Sequence, residues 1–151
     1  MAARKRYAQV GLGGRHHMFR GAILKDYKDT CEMVAFCDNN PGRLARAQRL
    51  SKDIHGVEIP GYAADDFNRM IAETKPDCVI VTTRDCFHDE YICRAMELGC
   101  DVITEKPMTT DAAKCRRILD TQRRTGRNCT VTFNYRYAPP RTQLKDLLMS
   151  G

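Results

Sequence analysis

The chain has 151 residues, 42% of them hydrophobic, which suits one α/β domain and excludes both two large domains and a disordered chain. Its formal net charge is +6, but the basic residues are spread along the sequence. The densest group, Arg116, Arg117, Arg123, Arg124 and Arg127, falls at the end of a predicted helix, where cations complement the dipole. With no basic stripe and no aromatic stacking platform, nucleic acid is not expected as a partner, and no apolar stretch reaches the ~18 residues of a membrane-spanning helix.

Residues 7–11 read as a short strand ending in glycine. Met18, Phe19, Ala22, Ile23 and Tyr27 recur at steps of three and four, the helical period. Residues 32–38 form an apolar run of the kind a buried strand shows. Asn39-Asn40-Pro41 opens a second helix, with Asn as cap and Pro at the first helical position. Leu44, Ala47, Leu50 and Ile54 supply its apolar face. Residues 55–62, with two glycines and a proline, read as a turn-rich stretch.

Asp65 or Asp66 caps a short helix carrying Phe67, Met70 and Ile71, which Pro76-Asp77 breaks. Residues 78–82 are the most strand-like run in the chain. Tyr91, Ile92, Ala95, Met96 and Leu98 mark an amphipathic helix closed by Gly99. A strand follows over 100–104. Thr110 or Asp111 opens a helix that uses Cys115, Ile118, Leu119 and Gln122 and ends at Gly126. Residues 129–134 alternate as a strand. Pro139-Pro140 then opens a final helix with Leu144, Leu147 and Leu148.

Strands separated by helices of this length pair in parallel, because parallel neighbours need a crossover. Right-handed crossovers place helices on both faces. The expected architecture is therefore α/β: a doubly wound, mostly parallel sheet whose binding crevice lies beyond the carboxyl ends of its strands.

The eight cysteines are Cys31, Cys37, Cys78, Cys86, Cys93, Cys100, Cys115 and Cys129. No pair has Cys-x-x-Cys spacing, and no metal site is expected. Several lie inside apolar runs, such as Met33-Val34-Ala35-Phe36-Cys37, as reduced core thiols do. The N-terminus does not resemble a signal peptide. A reducing, cytoplasmic compartment is the expectation.

Three motifs carry chemistry. The first is Val10-Gly11-Leu12-Gly13-Gly14-Arg15-His16 at the first strand-to-helix turn. Gly11 allows the tight turn, and Gly13 lets backbone approach a pyrophosphate, which the following helix N-terminus attracts. His16 replaces the third glycine of the usual pattern, with Gly14 and Arg15 as compensation. An ordinary glycine-rich turn is the bland alternative. The second motif is Asp38 at the end of the second strand, an acceptor for ribose hydroxyls that repels a 2′-phosphate. Its alternative role is to cap the next helix, and nearby Arg43 offers a 2′-phosphate a partner. The third is Thr104-Glu105-Lys106-Pro107, which sets a carboxylate and a cation at the crevice edge. There a lysine can bond a substrate hydroxyl or help move its proton; the alternative is a surface Glu–Lys pair beside a turn.

Taken in order, Val10-Gly11-Leu12-Gly13-Gly14-Arg15, Cys37-Asp38, Thr82-Thr83-Arg84-Asp85-Cys86-Phe87-His88 and the segment Ala95 through Pro107 ending in Glu105-Lys106-Pro107 resemble the N-terminal domain of one family. It is the glucose-fructose oxidoreductase, inositol dehydrogenase and rhizopine-catabolism (Gfo/Idh/MocA) family, and the resemblance runs through essentially the whole chain.

The resemblance implies a two-domain enzyme acting on CH–OH groups of sugars, cyclitols and related polyols by hydride transfer with NAD, NADP being the less favoured cofactor. It implies cofactor contacts at Gly11, Gly13, Gly14, Arg15, Asp38, Asn39, Thr82, Thr83, His88 and Glu105. Lys106 matches the family lysine that touches both substrate and cofactor. Asn134 and Arg136 match positions near the substrate end. For His88 the alternative is a helix-start residue that satisfies backbone groups.

Residues 1–137 are then the dinucleotide-binding domain, and 138–151 a helix leading toward a C-terminal substrate domain. That second domain would bring the acid–base histidine and most of a homo-oligomer interface. The four histidines here, His16, His17, His55 and His88, all precede Glu105-Lys106-Pro107. Cofactor binding is therefore expected of this chain and turnover is not. Two alternatives stay open: a stand-alone NAD-binding module, and the coenzyme domain of an NAD-using glycosidase.

Overall fold

A computed structural model describes residues 3–151. Six strands form one parallel sheet: β1 (Lys5–Val10), β2 (Cys31–Asp38), β3 (Gly61–Ala63), β4 (Cys78–Val81), β5 (Asp101–Glu105) and β6 (Cys129–Thr132). Their order is β3-β2-β1-β4-β5-β6, and every pairing is parallel. The order reverses between β1 and β4, which opens a crevice at their carboxyl ends. This is the doubly wound sheet read from the sequence.

Helices cover both faces: α1 (His16–Gly21), α2 (Pro41–His55), α3 (Phe67–Thr74), α4 (His88–Glu97), α5 (Ala112–Thr125) and α6 (Pro139–Met149). The pleat sends alternate residues to opposite faces. In β4, Val79 and Val81 join the core formed with Phe67, Met70, Ile92, Met96 and Ile118, while Ile80 joins the core formed with Ile23, Phe36, Ala47 and Ile59. All four β4 residues are buried, which is why this strand reads as a continuous apolar run.

Four local expectations need correction. The stretch read as turns contains β3, which pairs Phe36 with Gly61 and Cys37 with Tyr62. Only Tyr62 of its three residues is buried, so no apolar period marked it. The first helix continues as a π-helical segment, Ala22–Asp26. Met18 and Tyr27 are exposed while His16 and Arg20 are buried, so the apolar positions read from the sequence do not all lie on the buried face. Neither Asp65 nor Asp66 caps α3; a 3-10 turn, Ala64–Asp66, leads into it, and Asp66 instead pairs with Arg69 at 3.0 Å. The last strand stops at Thr132, and Asn134–Tyr137 is a 3-10 turn.

Other signals held. Asn40 caps α2, accepting from the N–H groups of Gly42 and Arg43 at 2.9 and 3.1 Å. Asp111 caps α5 through Lys114 N–H at 2.9 Å. All eight cysteines are free thiols. Burial pushes the Cys37 and Cys78 thiols up to about 12, which keeps them protonated and poorly nucleophilic. No helix among the described residues is long and apolar enough to cross a membrane.

Candidate functional site

Gly11 follows β1, and its N–H donates to Cys37 O at 2.9 Å. Its φ is +87°. A Cβ there would lie 2.6 Å from Thr82 C and 2.7 Å from Thr82 O, so the close approach of β4 as well as the turn requires glycine. Gly13 and Gly14 present the opposite situation: a Cβ at either would meet no atom within 4 Å. Their backbone borders open space at the mouth of the crevice.

Asp38 is 5% exposed. One carboxylate oxygen accepts from Leu12 N–H at 2.6 Å and the other from Asn40 N–H at 2.7 Å. The side chain therefore ties the glycine turn to the end of β2. It does not cap α2, since Asn40 does. A carboxylate offers about four lone-pair directions, so two remain for hydroxyl donors. Asn39 and Arg43 are exposed beside it.

On the far side, Thr82 is buried, and its hydroxyl donates to Gly11 O while accepting from Gln9 Nε2 at 3.1 Å. Thr83 is half-buried behind it, its hydroxyl turned to Arg84 O at 3.3 Å. His88, the first residue of α4, is 1% exposed. Its Nδ1 lies 3.0 Å from Pro107 O and its Nε2 3.1 Å from Thr83 O. The ring thus spans the loops after β4 and β5 and holds their spacing.

Glu105, 5% exposed, ends β5. Its carboxylate takes a 2.7 Å salt bridge from Arg15 of the glycine turn. The motifs at residues 10–16 and 104–107 therefore meet across the crevice. Lys106 is exposed, joins no salt bridge among the described residues, and precedes a cis peptide bond to Pro107. Asn134 and Arg136 lie exposed in the 3-10 turn after β6.

The sequence reading passed over Gln9, a polar side chain fully buried in β1 whose Oε1 has no partner among the described residues; a glutamine inside an apolar strand was the available signal. His16 was read only as a missing glycine. It is 3% exposed, and its Nδ1–H donates to Gly13 O. Burial, together with the charges of His17, Arg20 and Arg46, holds it down at about 4 against the pull of the Gly13 carbonyl.

Two surface hollows lie elsewhere. One is lined by Arg4, Arg6, Cys31, Glu32 and Thr74 near the amino ends of β1 and β2, the other by Gln48, Lys52 and Ile59 beside α2. The first is crossed by the pairs Arg4–Glu32 at 2.8 Å and Arg6–Glu32 at 3.3 Å. Neither hollow contains a residue of the crevice.

Comparison with known proteins gives a consistent picture. Residues 5–133 match the model of the Gfo/Idh/MocA oxidoreductase family, NAD-binding Rossmann fold. The chain is 32% identical over 124 residues to D-glucoside 3-dehydrogenase of Escherichia coli, covering 82% of this chain and 33% of that protein. It is 28% identical over 145 residues to inositol 2-dehydrogenase/D-chiro-inositol 3-dehydrogenase of Lactiplantibacillus plantarum, covering 94% of this chain and 39% of that one. Among solved structures it resembles the WlbA dehydrogenase from Chromobacterium violaceum in complex with NADH and UDP-GlcNAcA. There the TM-score is 0.85 at 26% identity, over 99% of this chain and 41% of the other. The chain thus spans well under half the length of the proteins it matches.

Proposed function

The chain belongs to the oxidoreductase family with this NAD-binding Rossmann fold, and from that premise we propose that it is the coenzyme-binding half of an enzyme acting on a CH–OH group of a sugar, cyclitol or related polyol. The observation that carries this reading is the 2.7 Å Arg15–Glu105 bridge, which joins the glycine turn to the Glu105-Lys106-Pro107 end of β5 at one crevice.

The residues fit a dinucleotide. The open space at Gly13 and Gly14 suits a pyrophosphate, with Gly11 shaping the turn and Arg15 at hand for its charge. Asp38, with Asn39 beside it, would accept from ribose hydroxyls and disfavour a 2′-phosphate, so NAD is favoured over NADP. Thr82, Thr83 and His88 form the wall on the β4 side, and Glu105 the floor at the nicotinamide end. The nicotinamide ring, when bound, supplies the hydride acceptor. Lys106 would hold the substrate oxygen by a charge-assisted hydrogen bond and steady the proton it carries. Asn134 and Arg136 stand at the substrate end.

The same reading extends to the rest of the protein. Residues 1–137 form the coenzyme domain, and 138–151 lead toward a substrate domain. Tyr137, Leu147, Leu148 and Met149 are 69–78% exposed, which supports a packed partner there. A homo-oligomer built through that second domain and a cytoplasmic setting for the eight free thiols complete the proposal. Because no residue of α6 is buried, ending the chain after Tyr137 is expected to change folding stability by less than about 1 kcal/mol. A larger loss in denaturant melts would move the domain boundary toward the C-terminus.

The test of function is calorimetric titration of the chain with NAD and with NADP, beside Asp38→Ala. NAD is expected to bind more tightly than NADP, and the variant to lose that preference. Because the variant also strands the Leu12 and Asn40 N–H groups, its thermal melt is recorded alongside. A folded chain that binds neither dinucleotide would sink the proposal.

A further inference from the structure

Between α1 and α2 the structure gathers cations without gathering an acid. Arg20 is 6% exposed, and its Nε and one terminal nitrogen have no partner among the described residues. His16, one turn earlier, is 3% exposed with Nε2 likewise unpartnered. The His17 ring lies against it, tilted by 40° with 4.0 Å between centroids. Arg46, from α2, adds its charge to His16, His17 and Arg20 alike, and Arg20 with Lys25 acts on His55 at the end of α2. Neither Arg20 nor Arg46 joins a salt bridge among the described residues.

A guanidinium taken from water with donors unanswered is costly, because it loses hydration and gains no acceptor. Surrounding it with further cations raises the cost. An arrangement of this kind is stabilised by an anion with several oxygens. A phosphoryl group matches best: it carries up to two charges, and its oxygens take the forked donors of arginine. A carboxylate offers one charge and fewer oxygens. This cluster is not the phosphate turn itself, since the His16 Nδ1–H is already spent on Gly13 O and the two unpartnered arginine nitrogens lie a helical turn further on.

We propose that the cluster between α1 and α2 is a second anion site, in which Arg20, with His16 and His17 beside it and Arg46 within charge range, takes a phosphoryl group. The inference goes beyond the coenzyme reading; its free-phosphate form does not depend on it, and its 2′-phosphate form rests on it. The phosphoryl group has two sources, free inorganic phosphate and the 2′-phosphate of NADP, which the experiment separates.

The chain is titrated with inorganic phosphate at saturating NAD, and NADP is compared with NAD, for the wild type, Arg20→Gln and Arg46→Gln. Arg46 is exposed, so its variant keeps the fold should Arg20→Gln disturb it. Phosphate binding that each substitution weakens about tenfold, with NAD affinity unchanged, supports the site and identifies free phosphate as its ligand. An NADP affinity that falls about tenfold in both variants while NAD affinity holds supports the site and identifies the 2′-phosphate. Phosphate and NADP affinities that neither substitution alters overturn the proposal and leave the coenzyme reading standing. Phosphate binding sensitive to both variants in a chain that binds no dinucleotide would uphold this site and remove the coenzyme function.

Discussion

Gly11→Ala is expected to destabilise the chain by about 3–5 kcal/mol, a fall of about 10 °C in melting temperature for a domain of this size. Two costs add. The φ of +87° lies where a side chain costs about 1–3 kcal/mol. The new Cβ would also enter the backbone at Thr82 and Thr83, where no side-chain rotation can relieve it. The β1–β4 seam, held by Thr82 N–H donating to Val10 O at 2.9 Å, has to open. Gly13→Ala is the contrast, since its Cβ would meet nothing within 4 Å. Its melting temperature should stay within about 2 °C of wild type. Its NAD affinity should drop at least about tenfold, because the methyl group occupies the space offered to the pyrophosphate. Equal NAD affinity in Gly13→Ala and wild type would show that the pyrophosphate lies elsewhere; an unchanged melt in Gly11→Ala would show that the seam yields more easily than the contacts imply.

The pair also marks how far local pattern reaches. Gly11 and Gly13 were both visible as turn glycines, but their division of labour depends on what stands opposite, and Thr82 is 71 residues away. The strands β2 and β4 were legible because each buries side chains on both faces along most of its length and so reads as a dense apolar run. The short edge strand β3 was not, because one buried Tyr62 between exposed neighbours carries no period. Caps that act on their own helix, Asn40 and Asp111, were legible for the same local reason.

The candidate site divides along the same line. Its residues were nameable one at a time, from the glycine turn, the acid after β2 and the Glu105-Lys106-Pro107 corner. Their joining was not. Arg15 and Glu105 are 90 residues apart, and nothing in the order of either segment predicts the other as its partner. His88 was left between a cofactor contact and a backbone-satisfying residue. Its two ring nitrogens face the carbonyls of Thr83 and Pro107 at 3.1 and 3.0 Å, so the ring spaces the two loops beside the crevice. Arg20 escaped notice because arginine on a helix is ordinarily solvated, whereas here it is 6% exposed.

His16 yields the second large effect, an acid sensitivity. An unfolded histidine titrates near 6.5, while burial, with His17 and Arg20 on α1 and Arg46 on α2, holds His16 at about 4 in the fold. A group whose folded value is depressed lends stability that is fully present above its unfolded value and is lost as pH falls toward the folded one. From pH 7.5 to pH 5 the unfolded chain takes up a proton at this position and the folded chain does not. The expected loss is about 2 kcal/mol, or roughly 4–8 °C in melting temperature. His17 and His55 are lowered too and act in the same direction, so the comparison must isolate His16. His16→Asn does so, because its amide can still donate to Gly13 O and does not titrate. Melts of both chains in acetate and morpholine buffers, free of phosphate, should show the wild type losing about 2 kcal/mol more than the variant over this range. Parallel losses would mean that the ring takes up its proton in the fold as readily as in the unfolded chain, and would remove the acid sensitivity assigned to it.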